Sequence, residues 1–207
     1  DEIFDAALKS GLNSLADSHD INEQIKVDPS MSDDFRRDAG QATIFALIVI
    51  FLYIVFRFRK WQFGLGALLA MMHDVLIVLS LFSIFWGILP FGLEVNQAFI
   101  AAILTVIGYS INDTVVVFDR IREYLAEYKR EDQKTVINKA LNSTLSRTIN
   151  TSVSTFVVLL TIFLFGGETI QGFAFALMIG VVVGTYSSIF IATPVVIDLS
   201  KTDAVKA

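Results

Sequence analysis

The chain has no cysteine, three prolines and two histidines among its 207 residues. Without cysteine there is no disulfide framework, no zinc-thiolate site and no cysteine nucleophile. Two histidines are too few for a histidine-rich metal site. Charge is scarce too. Asp, Glu, Lys and Arg make up 18% of the residues, where a soluble domain carries roughly 25%. A net charge of -5 argues against binding nucleic acid. The motifs of soluble enzymes are missing: no glycine-rich phosphate loop, no nucleophile elbow and no HExxH. The expectation is a non-enzyme with no cofactor and no metal, whose work draws on an ion gradient or a partner. The chain starts at Asp1 with no methionine and no signal-peptide pattern, and is read as a fragment or a processed chain.

What is present is hydrocarbon. Hydrophobic residues make up 54% of the chain and the mean hydropathy is +0.63. They fall in blocks of about 20 residues, the length that crosses a hydrocarbon core roughly 30 Å thick. Five spans are expected, at about 39–56, 63–89, 97–118, 148–165 and 170–197, with a tail at 198–207. The fold class is therefore an all-α integral membrane bundle. Residues 1–38 differ, with ten acidic and four basic side chains. There the spacing predicts an amphipathic helix over Asp1 to Leu15 and a strand over Ile21 to Val27, ended by Pro29. Such a piece is too small to hold a core of its own. It reads as the end of an α+β domain outside the membrane.

The basic residues give an orientation. Arg57, Arg59 and Lys60 follow the first span, the stretch from Arg120 to Arg147 follows the third, and Lys201 and Lys206 lie in the tail. The loops after spans two and four hold only Glu94 and Glu168 among charged residues. By the positive-inside rule the basic side is the cytoplasm, which puts residues 1–38 on the opposite side. Arg36 and Arg37 are the exception, and read as headgroup anchors beside span one. Between spans three and four, Val136, Ile137, Ala140, Leu141, Thr144, Leu145 and Thr148 recur at helical spacing. That predicts an amphipathic helix over about 135–147, lying along the interface or packed under the bundle.

Charged side chains in mid-membrane are costly and usually functional. Asp113 and Asp74 stand out. Thr105, Tyr109, Asn112, Asp113 and Val116 form a stripe that must face other helices or a watered path. A carboxyl there changes charge with its access to water, which suits proton carriage; the competing role is helix glue. Asp74, after His73, shares a face with Ala67, Ala70 and Val78, and could pair with that stripe. A lone histidine such as His73 is more often a packing residue than a relay. Arg147 opens a run through Thr148, Asn150, Thr151, Ser152, Ser154 and Thr155. It could anchor at the interface or reach Asp113. The ladder Gly172, Ala176, Gly180, Gly184, Ser188 predicts close helix contact along span five.

Gly108-Tyr109-Ser110-Ile111-Asn112-Asp113-Thr114-Val115-Val116-Val117-Phe118-Asp119-Arg120 resembles the signature of the SecF family of bacterial preprotein-translocase subunits. Leu141-Asn142-Ser143-Thr144-Leu145-Ser146-Arg147-Thr148-Ile149-Asn150-Thr151-Ser152 resembles that family's second signature, and His73-Asp74-Val75 fits too. Val27-Asp28-Pro29 stands where the family has Val-Gly-Pro. The resemblance implies the last five of six SecF spans, half of a resistance-nodulation-division type bundle. It implies a place in the bacterial inner membrane and late protein export driven by the proton-motive force. The implied partners are SecD (or a fused SecD half), the SecYEG channel, YajC, YidC and the moving preprotein. Asp113 matches the family's proton-transfer acid and Arg147 the basic residue beside it. Asp74, Asn112, Tyr109, Thr148 and Asn150 are the supporting polar residues. The rival readings are a small-molecule exporter of the same superfamily and a non-conducting scaffold.

Overall fold

The computed structural model describes Gly11 and residues 29–205, with side chains from 37 to 200. The helix and strand expected before Pro29 lie outside these, apart from Gly11, which is helical. Residues 1–38 and 39–207 form separate compact units.

A backbone surrounded by hydrocarbon must satisfy its own hydrogen bonds, so each apolar run forms a helix. The helices are α1 (Pro29–Phe58), α2 (Trp61–Phe85), α3 (Gln97–Glu127), α4 (Gln133–Phe165), α5 (Glu168–Ser187) and α6 (Thr193–Val205). A π-helical turn, Ser188–Ala192, joins α5 to α6. No strand occurs among the described residues. Five runs are long and apolar enough to cross a membrane: Arg37–Phe58, Trp61–Phe85, Gln97–Glu127, Gln133–Phe165 and Glu168–Ser200. The protein is a multi-pass membrane protein.

The links follow local chemistry. Arg59 sits at φ 56°, the left-handed position that ends α1 and lets α2 start two residues later. Span two stops at Phe85 rather than Leu89, because Gly87 turns the chain at φ 72°. Asn96 caps α3 by accepting from the Phe99 amide at 3.0 Å. Asp132 caps α4 by accepting from the Thr135 amide at 3.2 Å. From that cap α4 runs unbroken for 33 residues, so 135–147 and the span after it are one helix. Its face Val136, Ile137, Ala140, Thr144 and Thr148 is buried.

α3 and the α5–α6 run are the centre of the bundle. Of their most apolar windows 44% and 50% are buried, against 11% for α1. The small residues of α5 make this approach possible. A side chain at Gly180 would overlap Val106, one at Gly184 would press on Ser110, and one at Gly172 would meet the Gly92 carbonyl. α1 lies at the edge, held through Ile54 and Phe58. The Phe58 ring stacks on Phe63 at 5.2 Å and meets Phe118 edge-on at 5.8 Å. Arg57 also pairs with Asp119 at 3.0 Å. Both side chains are 38% exposed, so this bridge is worth about 1 kcal/mol at most.

Gly180→Leu should therefore force α3 and α5 apart and cost about 1–3 kcal/mol. It would be read as a lower midpoint of thermal unfolding in detergent. Gly40→Ala, where an added methyl meets nothing within 4 Å, should leave the midpoint unchanged or raise it. Equal midpoints for the two variants would show that the helices do not touch at Gly180.

Candidate functional site

Asp113 and Asp74 are both buried, at 3% and 0% exposure, and hydroxyl-bearing side chains meet each of them. The arrangement follows from helix geometry. Ser110, Asp113 and Thr114 lie within about one turn of α3, on the side facing α5. α5 brings Thr185 and Ser187 opposite them, and the π turn that follows brings Ser188, next to the glycines that allow the helices to touch.

Around Asp113, Thr185 donates to Oδ2 at 3.3 Å and Ser152 donates at 3.5 Å. The two hydroxyls lie 2.5 Å apart, so when one donates to the other only the second is left to donate to the carboxyl. Each also lies within reach of its own helix: Ser152 of the Thr148 carbonyl at 2.9 Å, and Thr185 of the Val181 carbonyl at 2.8 Å. Among the described residues, every group bonded to the Asp113 carboxyl is a neutral hydroxyl. One side chain each from α4 and α5 thus meets the acid of α3.

Around Asp74, Oδ2 accepts from Ser110 at 2.6 Å and from Ser187 at 2.8 Å. Oδ1 lies 3.1 Å from His73 Nδ1. Hydrogen bonds to a carboxylate are the strong class, about 1.5–3 kcal/mol each. This acid ties α2 to α3 and to the end of α5. Ser188, next in sequence, reaches the other way to Thr114 at 2.8 Å. The π turn that begins at Ser188 has a local cause. Pro194 has no amide hydrogen and its ring clashes with the carbonyl four residues back, so the ladder loosens ahead of it. Thr193 bridges the opened turn by donating to the Ser188 carbonyl at 3.1 Å.

The polar stripe of α3 is split by this packing. Asp113 faces inward, Tyr109 is half-buried with its hydroxyl 3.4 Å from Thr155, and Thr105 and Asn112 are exposed. Asn150, Thr151 and Ser154 on α4 are exposed as well. Asp74 makes its helix contacts through Ser110 and Ser187 rather than through that stripe.

Arg147 is exposed and hydrogen-bonds to no described side chain. It lies within electrostatic reach of Asp113 without touching it. It lines a polar cavity of about 320 Å³ at the basic end, with Asp119, Arg120, Glu123, Ser143 and Thr144. There Arg120 pairs with Glu123 at 2.8 Å and donates to Ser143 at 3.0 Å. Arg122 pairs with Asp119 at 3.3 Å, the spacing expected for that pair. Thr148 is buried and its hydroxyl has no hydrogen-bond partner among the described residues. Among those residues, no three His, Asp or Glu side chains gather as metal ligands.

Ser110, Thr185 and Ser187 are the site residues that sequence reasoning missed. Serine and threonine in apolar helices usually bond to their own backbone. Spacing alone does not reveal which of them also reach across to another helix. If these contacts hold the bundle, Ser110→Ala and Ser187→Ala should each lower stability by about 1–2 kcal/mol. Combined with Asp74→Ala, each should show a coupling of about 0.5–2 kcal/mol in a double-mutant cycle. Additive losses in detergent unfolding would show that the hydroxyls do not bond Asp74.

Residues 7–202 match the family described as protein export membrane protein SecD/SecF, C-terminal. The chain is similar to the protein translocase subunit SecF of Rhodothermus marinus. The two are 54% identical over 173 residues, which is 84% of this chain and 56% of that protein. It is similar to the SecDF subunit of Brucella abortus at 45% identity, over 86% of this chain and 23% of the relative. The backbone resembles the crystal structure of SecDF, a translocon-associated membrane protein from Thermus thermophilus. The TM-score is 0.78 at 40% identity, over 84% of this chain and 23% of that one. A crystal structure of SecDF in the super-membrane-facing form gives a TM-score of 0.76 at 38% identity, over 87% of this chain and 24% of that one. The chain thus spans about half the length of the SecF relatives and about a quarter of SecDF. With the sequence matched from residue 7 to residue 202 and the backbone superposing on two SecDF crystal structures, the chain belongs to the SecD/SecF C-terminal family of protein export membrane proteins.

Proposed function

We propose that this chain is the membrane part of a SecF-type subunit that couples the proton-motive force to late protein export, and that Asp113 is the group that takes up and releases the proton. The observation that carries the reading is the surroundings of Asp113. A buried carboxyl bonded only to neutral hydroxyls has no counter-charge in contact. An ionised acid there is costly, and a protonated one is not. Arg147 supplies a cation nearby that can attract the ionised form without locking it. Protonation removes the charge, weakens that attraction and lets the helices repack. One charge crossing 100 mV releases about 2.3 kcal/mol, enough to bias a two-state element some tens-fold.

The exposed amide side chains of Asn112 on α3 and Asn150 on α4 make a polar surface that is unsuited to lipid. It fits a SecD half packed against this one, which supports SecD or a fused SecD segment as partner. SecYEG, YajC and YidC are the further partners on this reading, and a preprotein is the cargo. The protein acts as a transporter subunit rather than an enzyme, in the bacterial inner membrane. The basic end faces the cytoplasm, as the positive-inside rule asks. Asp74, with three short polar contacts, serves as the fixed tie between helices.

In the full-length protein with its partners, Asp113→Asn should lower proton-motive-force-dependent export by at least about tenfold, the bias that roughly 60 mV gives one charge. Assembly should stay intact, as judged by co-purification. Undiminished export in that variant would overturn the assignment.

A further inference from the structure

Thr144, Thr148 and Ser152 lie at successive four-residue intervals on one face of α4, and all three are more than nine-tenths buried. The first lines the polar cavity at the basic end. The last donates to Asp113. The middle one is exceptional within its helix. Thr144, Thr151, Thr155 and Thr161 all donate to a backbone carbonyl of their own helix, and Thr135 bonds to the cap residue Asp132. Thr148 Oγ1 bonds to nothing among the described residues, although it is buried. A buried hydroxyl left unpaired is costly, and the usual remedy is a bound water.

We propose that Thr144, Thr148 and Ser152 form a proton path between Asp113 and the basic-end cavity, with Thr148 holding one water toward Thr144 and another toward Ser152. The geometry suits it. One turn of helix rises about 6 Å over four residues. Two hydrogen bonds of about 2.8 Å in series span nearly the same distance, so one water bridges neighbouring rungs. The transfer balances as a hop. Asp113 Oδ2 gives its proton to Ser152 Oγ, which passes its own hydrogen to the adjoining water. That water protonates Thr148 Oγ1, which passes its own on through the second water and Thr144 to the cavity, so each hydroxyl ends with one proton and a turned O–H bond. Thr185, 2.5 Å from Ser152, accepts the Ser152 hydrogen when Asp113 is already protonated.

The other side of the Ser152–Thr185 pair offers no such route. The recess there is walled by Ile149, Val153, Phe156, Val181 and Val182. The charged groups along the path are Arg147 on α4, and Asp119, Arg120 and Glu123 on α3, all at the cavity. α5 contributes Thr185 and no charge. His73 and Asp74 belong to the separate cluster with Ser110 and Ser187.

The path rests on Asp113 as the proton-carrying acid, and the test separates the two ideas. Proton flux is measured in vesicles holding the full-length protein with its partners, alongside thermal unfolding. Thr148→Val keeps the shape and removes the hydroxyl. It should lower flux by at least about tenfold, the cost of one hydrogen bond lost from the path, while leaving the unfolding midpoint unchanged or higher. Thr148→Ser should retain flux within about twofold, because the hydroxyl remains. Should Thr148→Val unfold, Ser152→Ala decides, with the same loss expected. Wild-type flux in Thr148→Val beside a dead Asp113→Asn would overturn the path and leave Asp113 in place. Equal losses in Thr148→Val and Thr148→Ser would also overturn it. Wild-type flux in Asp113→Asn would overturn both ideas.

Discussion

Two carboxyl groups sit inside a bundle whose outer surface is hydrocarbon, and a bilayer offers no donors to satisfy them. That constraint organises the centre of the molecule. Apart from His73, which sits beside Asp74 on the same helix, the donors come from neighbouring helices, and each neighbour must come close enough to deliver a short side chain. Serine and threonine reach only about one carbon from the backbone, so the helices must almost touch. The glycines at 180 and 184 permit this, since they let α5 rest on Val106 and Ser110 of α3. The packing of small residues and the chemistry of the acids are the same feature seen at two scales.

The two acids are treated differently. Asp74 has no exposed surface and is bonded by two serines and a histidine, all within 3.1 Å. Asp113 has longer contacts, at 3.3 and 3.5 Å, from hydroxyls that also have other acceptors available. A carboxyl held loosely by groups with alternatives can change its state at low cost. One held tightly from three directions cannot. On the reading proposed above, this contrast, more than burial, assigns cycling to Asp113 and holding to Asp74.

Much of the arrangement was legible in the sequence. Hydropathy alone located all five runs, because a stretch of about 20 apolar residues has few other uses. Asp74 and Asp113 stood out against that background, and the four-residue ladder of small residues announced a close contact along α5. The limits were those of one-dimensional periodicity. Residues 112 and 113 differ by about 100° around α3, so a stripe drawn through both could not say which faces inward; Asp113 does and Asn112 does not. The start of α4 looked like a separate amphipathic helix, because polarity changes at Arg147 while the backbone does not. The π turn was hidden because Pro194 signals a disturbance without saying whether the helix will stop, kink or widen.

Ser187 and Ser188 are neighbours in the chain, yet their hydroxyls bond to different helices, one to Asp74 of α2 and the other to Thr114 of α3. A helix turning about its axis moves both residues together. Rotation that shortened one bond would lengthen the other, so this junction keeps both only at one setting of the helix. The C-terminal end of α5 and the π turn after it thus act as a keyed joint, whose angle about the helix axis is fixed by α2 and α3 together.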